Sequence, residues 1–298
     1  MNFKQQADSW IINLAHRKRN PVAQSTIDTY EATLTKWIYP ALGHLDLGQI
    51  DNETVKPFVA SLCAADLSAA YVNKILTVVK MVVKSAVSPK GEYLYPRVWN
   101  SDFLDVPVIC HADQNTPVVT PEAITAAIQG SQGRDRALYA LLAGSGLRIA
   151  EALSLTVGDK GGNYWDPQAG KVVILPGLAK TDAGAREIDL APDLNTFLIN
   201  TIDNTKLIAP ENPLFPISYS AALRRMQRLG IQDGFHAFRR FRITHLRKSH
   251  VPSGLVQFWA GHSDSASVTD GYDKIKLDVE TRKTEAARVG LGFELEAA

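Results

Sequence analysis

Two cysteines, Cys63 and Cys110, are all that 298 residues contain. They stand far apart, without the paired spacing of a zinc site or a disulfide framework, so two free thiols, no structural metal and a reducing interior are expected. Also missing is any run of about eighteen uninterrupted apolar residues, and the opening MNFKQQADSW has no apolar stretch behind its charges. A soluble, cytoplasmic protein with no membrane partner is therefore expected. Charge of one sign is lacking overall, since 32 Lys and Arg face 31 Asp and Glu for a net +1. A polyanionic partner thus has to be argued from local clustering of cations. No internal repeat and no low-complexity tract occurs. With 45% hydrophobic and 21% charged residues, disorder is not the default reading, and the length suits two ordinary domains.

Several amphipathic patterns are present. Between residues 24 and 39, Ile27, Tyr30, Leu34, Trp37 and Ile38 recur at helical spacing, with Ser25 placed to cap the start. After a turn at PALGHLDLGQ, a second helix carries Val55, Phe58, Val59 and Leu62, and a third, over residues 68–87, has a wide apolar stripe from Val72 to Ala86. Residues 20–90 read as a small helical domain. From 88 to 121 six prolines and glycines replace periodicity, which predicts an extended connection. Thr120-Pro121-Glu122 then supplies an N-cap, a proline at the first helical position and an acid in the first turn. Two helices broken at Gly144-Ser145-Gly146 follow. Strand-favouring residues at 171–175 and 186–190 flank AKTDAGA, predicting a hairpin with Lys180 near its turn. Helical patterns return at 193–202, 220–229, 236–249 and 253–260.

The cations are concentrated late in the chain. Over residues 221–250, Arg224, Arg225, Arg228, Arg239, Arg240, Arg242, Arg247 and Lys248 face one acid, Asp233. A solvated basic face is the commoner explanation of such a run. Here, however, Phe235, Phe238, Phe241 and Ile243 are interleaved, so some arginines must sit where the helix meets the core. A guanidinium held at that boundary can offer a planar fork to two phosphate oxygens. Arg148, in GSGLRIAEALSL, reads either as the partner of a carboxylate such as Glu151 or, with Arg239, as half of a clamp on one phosphodiester.

The order GSGLRIAEAL, a lysine in LAKTDAGAREIDL, HAFRRFRITHL and AGHSDSASVTDGY resembles the tyrosine recombinase (phage integrase) catalytic domain from end to end. The stretch from STIDTYEATLTKWIYP to VVKMVVKSAV is similar to that family's helical core-binding domain, so the resemblance covers most of residues 20–285. Four ordered motifs are much harder to meet by chance than one. The resemblance implies Arg148 as the first arginine, Lys180 as the hairpin lysine, His236 and Arg239 as the H-x-x-R pair, His262 as the later histidine and Tyr272 as the nucleophile. It implies attack by Tyr272 to leave a 3′-phosphotyrosyl enzyme and a free 5′-hydroxyl, Lys180 as general acid, and no cofactor. A free tyrosine has a pKa of about 10 and needs cations or a base nearby to attack phosphorus. Arg224, Arg225, Arg228 and Arg240 are assigned to DNA, Arg240 alternatively to an acid. Taken singly, Lys180 reads as exposed charge, the histidines as core residues and Tyr272 as a half-buried aromatic; the joint ordering turns those readings over. Two departures are visible: the interval from His262 to Tyr272 is one residue longer than is usual in the family, and Ala260 replaces the usual leucine before Gly-His.

The expected fold is mainly α: a helical (SAM-like) core-binding domain over residues 1–95, a linker over 96–119, and a mostly helical catalytic domain with a small antiparallel β-sheet over 120–298. The resemblance implies a clamp around double-stranded DNA and a homotetramer on paired sites, with monomers in free solution. The C-terminal IKLDVETRKTEAARVG either packs on a neighbouring protomer, as in the family, or folds back on its own chain. With few residues before residue 20 for a separate arm-site domain, simple core sites are expected. The rival readings are a DNA-binding regulator that lost the chemistry and a type IB topoisomerase-like enzyme that rejoins the same strand.

Overall fold

A computed structural model describes residues 1–110, 118–179, 182–203, 213–262 and 275–295. The chain divides into two compact units, Met1–Gln114 and Asn115–Ala298, each with its own core.

In the first unit, α1 (Phe3–Ala15) is a helix that the apolar patterns did not mark, because its stripe is thinned by Gln and Ser. Asn2 caps it in a reciprocal capping box with Gln5, and it buries Phe3, Trp10 and Leu14. The single helix expected over residues 24–39 is α2 (Gln24–Thr33), a π-turn at Leu34–Ile38 and α3 (Tyr39–Leu42). Pro40 explains the break, since it brings no N–H and its ring would meet the carbonyl four residues back; the wider turn absorbs it, with the Tyr39 N–H donating to Leu34. Next, α4 (Asn52–Ala64) starts under an Asp51 cap, and α5 (Ala69–Lys84) buries Val72, Ile75, Val79, Val82 and Val83 against α1, α2 and α4. The segment after α5 carries an isolated antiparallel bridge between Val87 and Tyr93, and it stays anchored as far as Pro107, whose carbonyl accepts from Asn73 at 2.9 Å. Leu104 is fully buried in this core, Arg97 donates to the Ile50 and Gly48 carbonyls at 3.1 and 2.8 Å, and Asn52 bonds Val98 and Asn100. Beyond the bridge, where prolines interrupt backbone pairing, side chains supply the anchors.

The second unit is built around α7 (Gly133–Ser145), whose residues from Ala137 to Ser145 are all buried. A helix apolar all round belongs in the middle of a domain, and α7 is packed by α6 (Pro121–Gln129), α9 (Pro192–Asp203) and α11 (His236–Lys248). Tyr139 stacks on Phe238 of α11 at 6.3 Å. Gly146, in the left-handed conformation at φ 72°, ends α7 and turns the chain into α8 (Ile149–Leu153). The sheet has four strands in the order β1 (Thr156–Val157), β2 (Tyr164–Asp166), β3 (Lys171–Ile174) and β4 (Arg186–Asp189). The expected hairpin is β3–β4, with Val172 opposite Ile188. The sheet is not purely antiparallel: β1 runs parallel to β2, making it mixed. Strands of two and three residues are too short to show an alternating pattern in the sequence. Among the described residues, helices α10 (Tyr219–Arg228), α12 (Ser253–Ala260) and α13 (Val279–Val289) also belong to this unit. Helix α13 packs against β4 and α11 of its own unit. Arg282 bonds Asp189 and Glu187 of β4, and Arg242 and His245 of α11 reach the Gly290 and Val289 carbonyls.

Candidate functional site

The site is assembled where α7 and α12 end. Arg239 lies on α11, 5% exposed, with one guanidinium nitrogen donating to the Gly146 carbonyl at 2.9 Å and the other to the Ala260 carbonyl and to the ring of His262, whose Nε2 is 3.0 Å away. Both carbonyls close helix C-termini, where the backbone carries partial negative charge, which suits a cation. The alanine at 260 serves through its carbonyl, so the departure from leucine leaves this contact intact.

Arg148 caps the start of α8 and is half-buried. Its backbone N–H and its guanidinium both donate to Glu151, at 2.9 and 2.8 Å. The carboxylate-partner reading of Arg148 therefore holds, and it does not compete with the clamp reading, because the carboxylate takes up only one edge of the fork. Glu151 also receives two bonds from Arg186 of β4, at 3.3 and 3.0 Å. Burial works to raise the Glu151 carboxyl, but the two arginines outweigh it and hold the group below its ordinary 4.5.

Two guanidinium groups thus bond one carboxylate, and the third, Arg239, lies within its electrostatic reach. Burial, then the Arg148 and Arg186 charges, push the Arg239 guanidinium down to about 10 against the opposing pull of Glu151, so it remains cationic at neutral pH. Burial and the same arginines hold the His262 imidazole below the ordinary histidine value. A neutral ring beside a cationic shelf can accept a hydrogen bond or a proton from a group that arrives with an anion. Guanidinium groups held in this way can take a phosphodiester, which offers one negative charge and several acceptor oxygens.

Of the six residues expected to act in catalysis, Arg148, Arg239 and His262 are brought together. His236 is exposed at the first residue of α11, one turn ahead of Arg239 on the same side. Lys180 and Tyr272 lie outside the described residues. Among the residues expected to meet DNA, Arg224, Arg225 and Arg228 are exposed on α10, Arg225 already pairing with Asp135 at 2.7 Å, and Arg240 is half-buried on α11. Arg186 was not singled out. The available signal was its strand position: in β4 it shares a face with the buried Ile188, where a cation needs partners.

The sequence pattern of the phage integrase family matches residues 118–276, more than half of the chain. The tyrosine recombinase XerC of Rhizobium meliloti (strain 1021) is 25% identical over 300 residues, covering 90% of this chain and 89% of that protein. Among solved structures, the Tn1549 transposon integrase bound to transposon right-end DNA aligns with a TM-score of 0.64 at 18% identity, over 96% of this chain and 99% of that one. A lambda integrase dimer bound to a COC′ core site aligns with a TM-score of 0.63 at 15% identity, over 95% of each chain. A lambda integrase tetramer bound to a Holliday junction gives a TM-score of 0.63 at 16% identity, over 93% of this chain and 81% of that one.

Proposed function

The chain belongs to the phage integrase family, and from that membership we propose that Arg148 and Arg239 grip the scissile phosphate while Tyr272 attacks it. The protein is a site-specific tyrosine recombinase, breaking and rejoining DNA strands. The observation that carries the residue assignment is the cationic shelf: Arg148 and Arg186 on the carboxylate of Glu151, with Arg239 beside them bonding His262.

In the proposed step the Tyr272 oxygen bonds to phosphorus as the bond to the 5′ oxygen breaks. One phosphoester replaces another, so its energy is kept for rejoining to a different strand. Negative charge grows on the non-bridging oxygens during the attack, where Arg148 and Arg239 donate; losing one such donor costs on the order of 10²–10³ in rate. The departing 5′ oxygen takes a proton from Lys180, the phenol proton leaves to a neighbouring base, and His236 and His262 bond the phosphate. Arg224, Arg225, Arg228 and Arg240 contact the duplex beside the break. The first unit, with the role of a core-binding domain, and the second, as the catalytic domain, act on double-stranded DNA. Assembly on paired sites is as a homotetramer, which the lambda integrase tetramer on a Holliday junction supports, and it starts from monomers in free solution.

The test is to incubate the protein and a Tyr272→Phe variant with labelled, nicked duplexes selected from a randomised pool for binding. A denaturant-stable adduct at the 3′ side of the break, formed by the wild type alone, is expected. Binding without an adduct would overturn the residue assignment.

A further inference from the structure

Arg186 has no exposed side-chain surface, yet it makes four hydrogen bonds to three separate parts of the second unit. Its Nε donates to the Trp259 carbonyl near the end of α12 at 2.8 Å. One terminal nitrogen donates to the Gly184 carbonyl in the β3–β4 connection at 2.6 Å and to Glu151 at 3.3 Å; the other donates to Glu151 at 3.0 Å. The guanidinium also lies flat against Gly261, where an added Cβ would stand 2.7 Å from one of its nitrogens. Gly261, at φ 61°, is the residue that turns the chain from α12 into His262.

Resting on the recombinase reading above, we propose that Arg186 is a positioning residue for strand cleavage, fixing the Glu151 carboxylate under Arg148 while holding the α12 terminus that presents Ala260 and His262 to Arg239. Every link is a bond described above. Glu151 orients Arg148, and besides Arg148 itself Arg186 is the side chain described as donating to that carboxylate. The Trp259 carbonyl is adjacent to the Ala260 carbonyl, which Arg239 grips, so the two arginines pin consecutive peptide groups at one helix end. A lysine keeps the charge but is a point donor without the planar fork, and cannot span Glu151, Gly184 and Trp259 together. Full burial keeps Arg186 away from the DNA, so its loss acts on geometry rather than affinity.

The experiment measures single-turnover adduct formation at saturating DNA, and the dissociation constant separately, for wild type, Arg186→Lys, Glu151→Gln and the double variant, on nicked duplexes from the pool described above. For Arg186→Lys the cleavage rate is expected to fall on the order of tenfold to a hundredfold, as small displacements at a reacting centre do. DNA affinity is expected to stay within about twofold, and the double variant to be no slower than the worse single one, as for residues acting as one unit. A wild-type rate for Arg186→Lys would overturn the proposal and leave the recombinase reading standing. So would a loss of affinity matching the loss of rate, multiplying defects in the double variant, or failure of Arg186→Lys to fold by urea denaturation. Absence of an adduct from the wild type itself would remove the strand-cleavage reading and this inference with it.

Discussion

At the scale of single residues, the described part of the site turns on one carboxylate, Glu151. Glu151 accepts two bonds from Arg148 and two from Arg186, and it is 6% exposed. Removing one member of a buried, bonded ion pair costs about 3–5 kcal/mol, because the partner keeps its desolvation penalty. Glu151→Gln is therefore expected to lower unfolding free energy at pH 7 by an amount of that order. The pH dependence has a definite sign. The folded-state carboxyl sits below its unfolded value of 4.5, so its contribution is complete above that value and is lost as pH falls through the depressed one. Urea titrations of wild type and variant should differ most near neutrality and converge in acid; a gap independent of pH would contradict the charge-based account. Much of this site was legible in sequence. Arg148 and Glu151 at i and i+3 on one short helix, and Arg239 set among phenylalanines, both point to cations held at a core boundary. Arg186 was hidden because its partners lie 35 and 73 residues away, and no local pattern reports that Glu151 and Trp259 converge on one strand end.

At the scale of elements, the long periodic helices could be read from sequence and the short or irregular pieces could not. Helices α5, α11 and α12 fall where the apolar spacing puts them, whereas β1 and β2 carry too few residues for a period to repeat. The π-turn at Leu34–Ile38 answers to the geometry of Pro40 rather than to hydrophobicity. The docking of α13 is a different case, since polar contacts dominate it. Arg282, 4% exposed, donates to Asp189 at 2.8 Å and to Glu187; Asp189 in turn accepts from the Trp259 ring nitrogen at 3.0 Å. The mean hydropathy of that helix is low, so periodicity alone marks it only weakly. Its attachment is expected to depend on one side chain. Arg282→Met leaves Asp189 buried with the indole N–H as its remaining described partner, and should destabilise the second unit by about 3–5 kcal/mol. A urea midpoint within error of wild type would show that the ion pairs do not hold α13 in place.

At the scale of the whole molecule, the near-balance of charge matters as much as the basic site. With a net charge of +1 there is little long-range pull on DNA, so affinity has to come from cations placed against phosphates. Each phosphate neutralised releases condensed counterions and adds about 0.9 to the slope of log affinity against log salt. With roughly 6–10 such contacts, binding should weaken about 10³–10⁵-fold between 50 and 200 mM salt. Helix α10 offers an internal comparison, because its arginines are not equivalent. Arg224 and Arg228 are exposed, while Arg225 is paired with Asp135 at 2.7 Å and has to give up that partner to meet a phosphate. Replacing Arg224 and Arg228 together by alanine is expected to reduce the salt slope by about two and to weaken binding similarly across sequences. Arg225→Ala should change the slope by less than one contact, since the Coulomb energy gained on DNA is offset by the ion pair lost. Fluorescence anisotropy on one duplex across a salt series checks both. An unchanged slope in the double variant would place the phosphate contacts elsewhere on the chain, and a full unit lost with Arg225 would mean that its pairing with Asp135 gives way on the duplex.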